Sequence, residues 1–243
     1  MKISTPRAAH RVARRPGPSR QAGMTMVEFA IVSPVALLLV LAIIQLGLMF
    51  SAKQILNEAT FVAARAGSVQ NATTSSMQEA LAGALLPFYQ DTTETTAAIR
   101  LAKAVIAAKT DLTAANLTIS VLNPNDDVFS DFGLTDANNH TYIPNDSLEY
   151  RDYTVRGAKS QLTIQDANAL KIRVTYAYQL KVPLMQSVLK SVLCGLDSGF
   201  NLTGRGGTPV ASAASDCTLY YSRGRVPLVA YATVQMQTPA WQN

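Results

Sequence analysis

Histidine is nearly absent from this sequence: there are two, and only His140 lies beyond the first ten residues. A histidine-based catalytic triad is therefore excluded from the body except around that one side chain, which sits in an asparagine-rich stretch. Acidic residues are missing before Glu28, and charge of either sign is missing from Phe29 to Phe50. Lysine is missing from Gly204-Arg-Gly-Gly-Thr, so that glycine-rich segment lacks the cation and spacing of a phosphate-binding loop. Asp126, Asp127, Asp131, Asp136 and Asp146 offer oxygen atoms suited to calcium. Asn125-Asp-Asp-Val-Phe-Ser-Asp nevertheless lacks the alternating ligands and central glycine of an EF-hand. No internal repeat is present. These gaps leave no nucleophile, base and oxyanion donors in one motif, and an enzyme is not expected. Neither is a metal or another cofactor.

Cysteine is limited to Cys194 and Cys217, which flank a stretch rich in Gly, Ser, Ala and Asp. In an oxidising compartment the pair would close a disulfide worth roughly 3 kcal/mol in the chain-entropy account. Two unrelated thiols are the alternative.

The net charge of +5 misleads as a property of the whole chain. Lys2, Arg7, Arg11, Arg14, Arg15 and Arg20 all precede Glu28, and removing these six leaves fifteen basic against sixteen acidic residues. The body is thus no basic nucleic-acid reader, and the asymmetry belongs to the amino terminus. The segment after that arm explains it. Phe29 to Phe50 is 22 residues of apolar character, interrupted only by Ser33, Pro34, Gln45 and Gly47. At about 1.5 Å per residue it reaches roughly 33 Å, enough for a bilayer's hydrocarbon core. The excess of Lys and Arg before the run predicts a cytoplasmic amino terminus and a translocated carboxyl-terminal portion. A cleaved secretory signal is the competing reading, but its apolar region is shorter and no small-x-small site follows Phe50 directly.

The helical pattern continues beyond the apolar run. Ile55, Ala59, Val62 and Ala66 recur at helical spacing, which predicts one helix from about Met24 to Ala66, stopped by Gly67. Further helices are predicted over Met77–Leu86, closed by Pro87, over the alanine-rich Thr93–Lys109, and over Leu184–Leu193. Ile99, Ala102, Val105 and Ile106 should form the buried face of the second of these. Strands are predicted at Leu117–Leu122, Tyr150–Val155, Ala169–Val182, Thr218–Ser222 and Val226–Gln237. Asn123–Asp146 reads as a long polar insertion. With room for one core of about 150 to 200 residues beside an anchor, the expected architecture is α+β. A long amino-terminal transmembrane and amphipathic helix packs on an antiparallel sheet, with additional helices. The sheet's cover should be the outer half of that helix together with the alanine-rich one. The expected divisions are a leader, 1–23; a helix, 24–67; and an extracytoplasmic domain, 68–243.

Glu28 is the odd residue, because a carboxylate at the edge of a bilayer span is costly unless it is paired or lies at the interface. One reading is an acid at the helix start, favoured by the helix dipole. A sharper one makes Gly23 the residue before a cleavage point, Met24 the new amino terminus, and Glu28 the partner of a neighbouring subunit's α-amino group.

Gly23-Met-Thr-Met-Val-Glu28-Phe29 resembles the type IV prepilin processing site. Extended through Ala30-Ile-Val-x-Pro34, Gln45-Leu-Gly47 and Ala63-Ala-Arg-Ala-Gly67, it resembles the TadE-like pseudopilins of tight-adherence (Flp) pilus systems. Phe29 stands where Flp pilins often carry tyrosine, and the body is larger than that of a major Flp pilin. The resemblance implies cleavage after Gly23 by a prepilin peptidase, and Glu28 as the carboxylate of recognition and assembly. It implies a minor subunit in a bacterial inner membrane, crossing once, with other pilins, pseudopilins and the assembly machinery as partners. It also leaves open incorporation in a cell-surface pilus with a part in adhesion. An anchored extracytoplasmic binding module or adhesin, outside any pilus, is the alternative.

Overall fold

The computed structural model describes residues 25–91, 93, 95–195 and 219–242. It divides the chain into two units, Met1–Val40 and Leu41–Asn243. Helix α1, Thr25–Val69, contributes to both. The apolar run and the amphipathic segment after it are thus one helix, as their uninterrupted periodicity predicts. Gly67 does not end it. Its carbonyl accepts from Gln70 and Ala72 at 3.2 and 2.9 Å, and the stop is made by Asn71 and Ala72 at φ 56° and 58°. Gly67 serves packing instead: a Cβ there would lie 2.8 Å from Met77 Cγ and 3.0 Å from Leu170 Cδ2.

The second unit is built on a three-stranded antiparallel sheet, ordered β1 (Leu117–Asn123), β4 (Ala169–Gln179), β5 (Arg225–Gln235). Along β4, alternation settles the faces: Leu170, Ile172, Val174, Tyr176 and Tyr178 are buried, whereas Lys171 and Arg173 are exposed. The buried row packs in one core with Ala52, Leu56, Ala59 and Ala63 of α1 and with Met77, Leu81 and Leu85 of α2 (Thr74–Leu85). The inward stripe of α1 is therefore rotated by about one residue from the expected one, and Val62 is exposed. Three of the four inward positions, Ala52, Ala59 and Ala63, are alanines, which carry little apolar signal in the sequence.

Helix α2 begins three residues earlier than predicted and passes directly into a single 3-10 turn, Leu86–Tyr89, that contains Pro87. It, and not the alanine-rich helix, completes the cover. The alanine-rich helix, α3 (Ala97–Asp111), packs on α2 and that turn through Ala104 and Ala108, while Ile99 and Ile106 are exposed. The expected apolar face thus points outward.

The polar insertion is structured. Asn125 caps α4 (Asp126–Phe132), its side chain accepting from Val128 N at 3.1 Å, and Asp126 and Asp127 occupy the first turn. β2 (Leu134–Thr135) and β3 (Thr141–Ile143) then form a second small antiparallel sheet with β6 (Ala240–Trp241). No strand forms over Tyr150–Val155: Leu148–Tyr150 is a 3-10 turn, and Asp152 Oδ1 accepts from Thr154 N and Thr154 Oγ1 at 2.8 and 2.7 Å. α5 is the short Ile164–Ala167, and α6 is Met185–Gly195. Of the expected strand at Thr218–Ser222, Tyr221 and Ser222 fall in a 3-10 turn, Tyr221–Arg223, and Thr218 lies outside the described residues. The end of the chain is tied back to α1: Gln237 N and Thr238 N donate to Ser68 O, and Trp241 N to Asn71 O.

Candidate functional site

In the first unit the functional feature is a surface. Met26, Val27, Phe29, Ile31, Val32, Val35, Leu37 and Leu39 are all more than half exposed, on every side of the helix. Apolar side chains of this size each gain about 1.5–3 kcal/mol on leaving water, so the segment is built to be covered by lipid or protein. The helix is long and apolar enough to cross a membrane. Pro34 lies within it and removes one backbone donor, which leaves the Ala30 carbonyl without its usual partner. Glu28 lies in the first turn, exposed, where the dipole favours an acid. Phe29 is beside it and 71% exposed. Gly23 and Met24 lie outside the described residues, as do Cys217 and the side chain of Cys194.

Gln45, the one amide in the apolar run, belongs to the second unit and is buried. Its Oε1 accepts from Val182 N at 3.0 Å, just past the end of β4. Eight residues on, Lys53 Nζ donates to Val229 O of β5. These two bonds fix α1 against the sheet in both position and rotation.

The second unit contains a charge cluster with no counterpart in any sequence motif. Asp111 ends α3, and its Oδ2 accepts from Tyr89 Oη at 2.7 Å and Tyr176 Oη at 3.0 Å. Its Oδ1 pairs with Arg225 Nη2, while Arg225 Nη1 donates to Ala177 O at 2.8 Å. The two hydroxyls are 2.9 Å apart and have one proton each, so three contacts share two protons. Burial raises the Asp111 carboxyl, but the Arg225 hydrogen bond, then Tyr89 and the Arg225 charge, outweigh it and leave the group below the usual carboxylate range. Burial, the neighbouring hydroxyl and Asp111 push the Tyr89 phenol strongly up, and burial does the same at Tyr176. Both phenols therefore stay protonated, and the cluster acts as a tie between α3, the turn after α2, β4 and β5. A cavity of about 220 Å³ opens beside it, lined by Phe88, Ala107 and Lys181 among others.

Two of the candidate calcium ligands accept backbone hydrogen bonds. Asp131 accepts from Lys159 N and Ser160 N, the closest at 2.7 Å, and Asp136 accepts from Asn138 N and His140 N. Among the described residues, no three His, Cys, Asp or Glu side chains are grouped as a metal site requires. His140 stacks on Trp241, with ring centroids 5.4 Å apart.

The model of the TadE-like protein family matches residues 23–65. That segment runs from Gly23 through Glu28 and Gln45 and ends four residues before the end of α1. No curated protein and no solved structure matches the chain.

Proposed function

We propose that this chain is a TadE-like minor pseudopilin, which takes part in assembling a tight-adherence pilus or a related secretion apparatus. The carrying observation is the coincidence of the family match with one unbroken helix whose first half is an exposed apolar surface headed by Glu28. In this reading residues 1–23 are a leader removed by a prepilin peptidase, and Met24 is the mature amino terminus. Residues 24–67 hold the chain in the inner membrane by a single crossing, with residues 68–243 on the extracytoplasmic side. The basic arm holds the opposite side.

Glu28 then supplies the assembly contact. In a bundle of such helices, its carboxylate would meet the α-amino group that cleavage creates on a neighbour. Two opposite charges desolvated together strongly penalise any other register. Pilins and other pseudopilins are accordingly the partners, and the proposed role is structural, without catalysis. The test is Glu28→Gln in the native host. Membrane insertion and abundance should be unchanged while surface pili fall severalfold; normal piliation would refute the assembly role.

A further inference from the structure

The membrane-side end of the second unit carries an apolar surface that its own packing does not use. Ile43, Leu46 and Phe50, on the last turns of the apolar run, are 61%, 64% and 65% exposed. Gln45, between them, is bonded to Val182, and two residues later Leu184 is 59% exposed, followed by Val188 at the start of α6. Helix α6 faces the protein with Met185 and Leu189, which leaves Leu184 and Val188 outward. Leu184 also stands at φ 68°, a left-handed conformation that a branched side chain adopts only against strain. A strained backbone that presents a leucine to water has no rationale within the folded unit.

The level of this surface is fixed by covalent and hydrogen-bonded neighbours. Phe50 is five residues past Gln45, about 7–8 Å along the helix axis, so Val182 is bonded to a residue inside the apolar run. The end of β4 and the turn before α6 carry backbone polar groups, which hydrocarbon does not tolerate but the headgroup layer does. Charge agrees: Lys181, which also lines the cavity beside Asp111, and Lys190 are the charged residues between 180 and 195, both are exposed, and that stretch contains no acid. Lysines keep their apolar stems at such a boundary and place the ammonium among phosphates.

We propose that Lys181–Lys190, with the last turns of the apolar run, is a membrane-facing surface that seats α6 in the headgroup layer of an anionic bilayer. This rests on the reading of the apolar run as a span, whose last turn, from about Gln45 to Phe50, then lies in the headgroup layer. Its consequence is that the second unit touches the bilayer through α6 as well as through the last turns of the apolar run.

The test uses the full chain with Trp241→Phe, reconstituted in phosphatidylethanolamine–phosphatidylglycerol vesicles containing bromine-labelled lipids. Single tryptophans are placed by Leu38→Trp, Val188→Trp, Leu184→Trp or Val69→Trp, each in a separate protein. Val69 is 24 residues beyond Gln45 on the same helix, about 36 Å away, and serves as the aqueous reference. Leu38 should be quenched by deep bromines, and Val188 and Leu184 by shallow ones at least about twofold more than Val69. Removing phosphatidylglycerol, or introducing Lys181→Glu with Lys190→Glu, should weaken the shallow quenching. Quenching at Leu38 with both α6 reporters equal to Val69 would overturn the interfacial seat and leave the span standing. No quenching at Leu38 would overturn the span, and the seat with it. A blue shift at Val188 without bromine quenching would assign the surface to a second copy of the chain and overturn the lipid assignment.

Discussion

Replacing Asp111 by asparagine tests whether the four-residue tie holds the second unit together. The substitution keeps the shape and one oxygen for the tyrosines, but removes the charge that faces Arg225. Asp111 and Arg225 side chains are 18% and 16% exposed, so the remaining guanidinium would be nearly enclosed, with Ala177 O as its other acceptor. Orphaning one member of a fully buried pair costs about 3–5 kcal/mol. Partial exposure and the surviving bond to Ala177 reduce this to about 2 kcal/mol. For a unit of this size that lowers Tm by about 4–8 °C. Thermal unfolding of the full chain in detergent, followed by circular dichroism, would measure it.

The pH dependence has a defined sign. Asp111 is depressed in the folded chain, so its contribution is present above the unfolded carboxyl pKa, near 3.8, and is lost as pH falls through the lower folded value. The difference between wild type and Asp111→Asn should therefore be constant from pH 7 to about 5 and close below about 4. Arg225→Gln should cost about as much alone and, combined with Asp111→Asn, fall short of additivity by more than about 1 kcal/mol. Equal melting temperatures, strict additivity, or a difference unchanged in acid would each refute the reasoning.

Two further substitutions probe other parts of the fold. Gly224 has φ +67°, and a Cβ there would lie 2.8 Å from Gln186 Cδ; Gly224→Ala should cost about 1–2 kcal/mol in thermal unfolding, and Gln186→Ala should return only the steric part. Asn168 is fully buried and donates to Pro144 O and Ile164 O at 3.1 and 2.9 Å. Asn168→Ala should cost about 1–2 kcal/mol by leaving Pro144 O without this donor, while Ile164 O keeps its bond from the backbone N–H of residue 168, seen as a lower denaturation midpoint with an unchanged slope.

The parts of this fold legible in the sequence are those where one physical preference dominates. From Leu170 to Tyr178 only an alternating strand buries the apolar set, and β4 lies where the alternation places it. The length of α1 follows equally from an apolar run with no break. Alanine carries little such information. In α1 and α3 it leaves the inward face ambiguous, and tertiary packing selects Ala59 and Ala63 in one and Ala104 and Ala108 in the other. Local hydrogen bonding overrides strand propensity at Tyr150–Val155, where Asp152 folds the chain onto Thr154. A cap at Asn125 fits a turn as well as a helix, so α4 is hidden inside a polar stretch. The Asp111 tie is not legible at all. Its members come from four elements, and Arg225 is 114 residues from its carboxylate. Glu28, by contrast, is conspicuous in sequence because a carboxylate in that setting has a cost to explain.

Processing of the chain as a pseudopilin, as proposed, would be visible at its mature amino terminus. Intact-mass and terminal-peptide mass spectrometry should be run on protein isolated from membranes of the native host. The expected chain begins at Met24. A chain that still begins at Met1, or one that begins beyond Phe50, would contradict it.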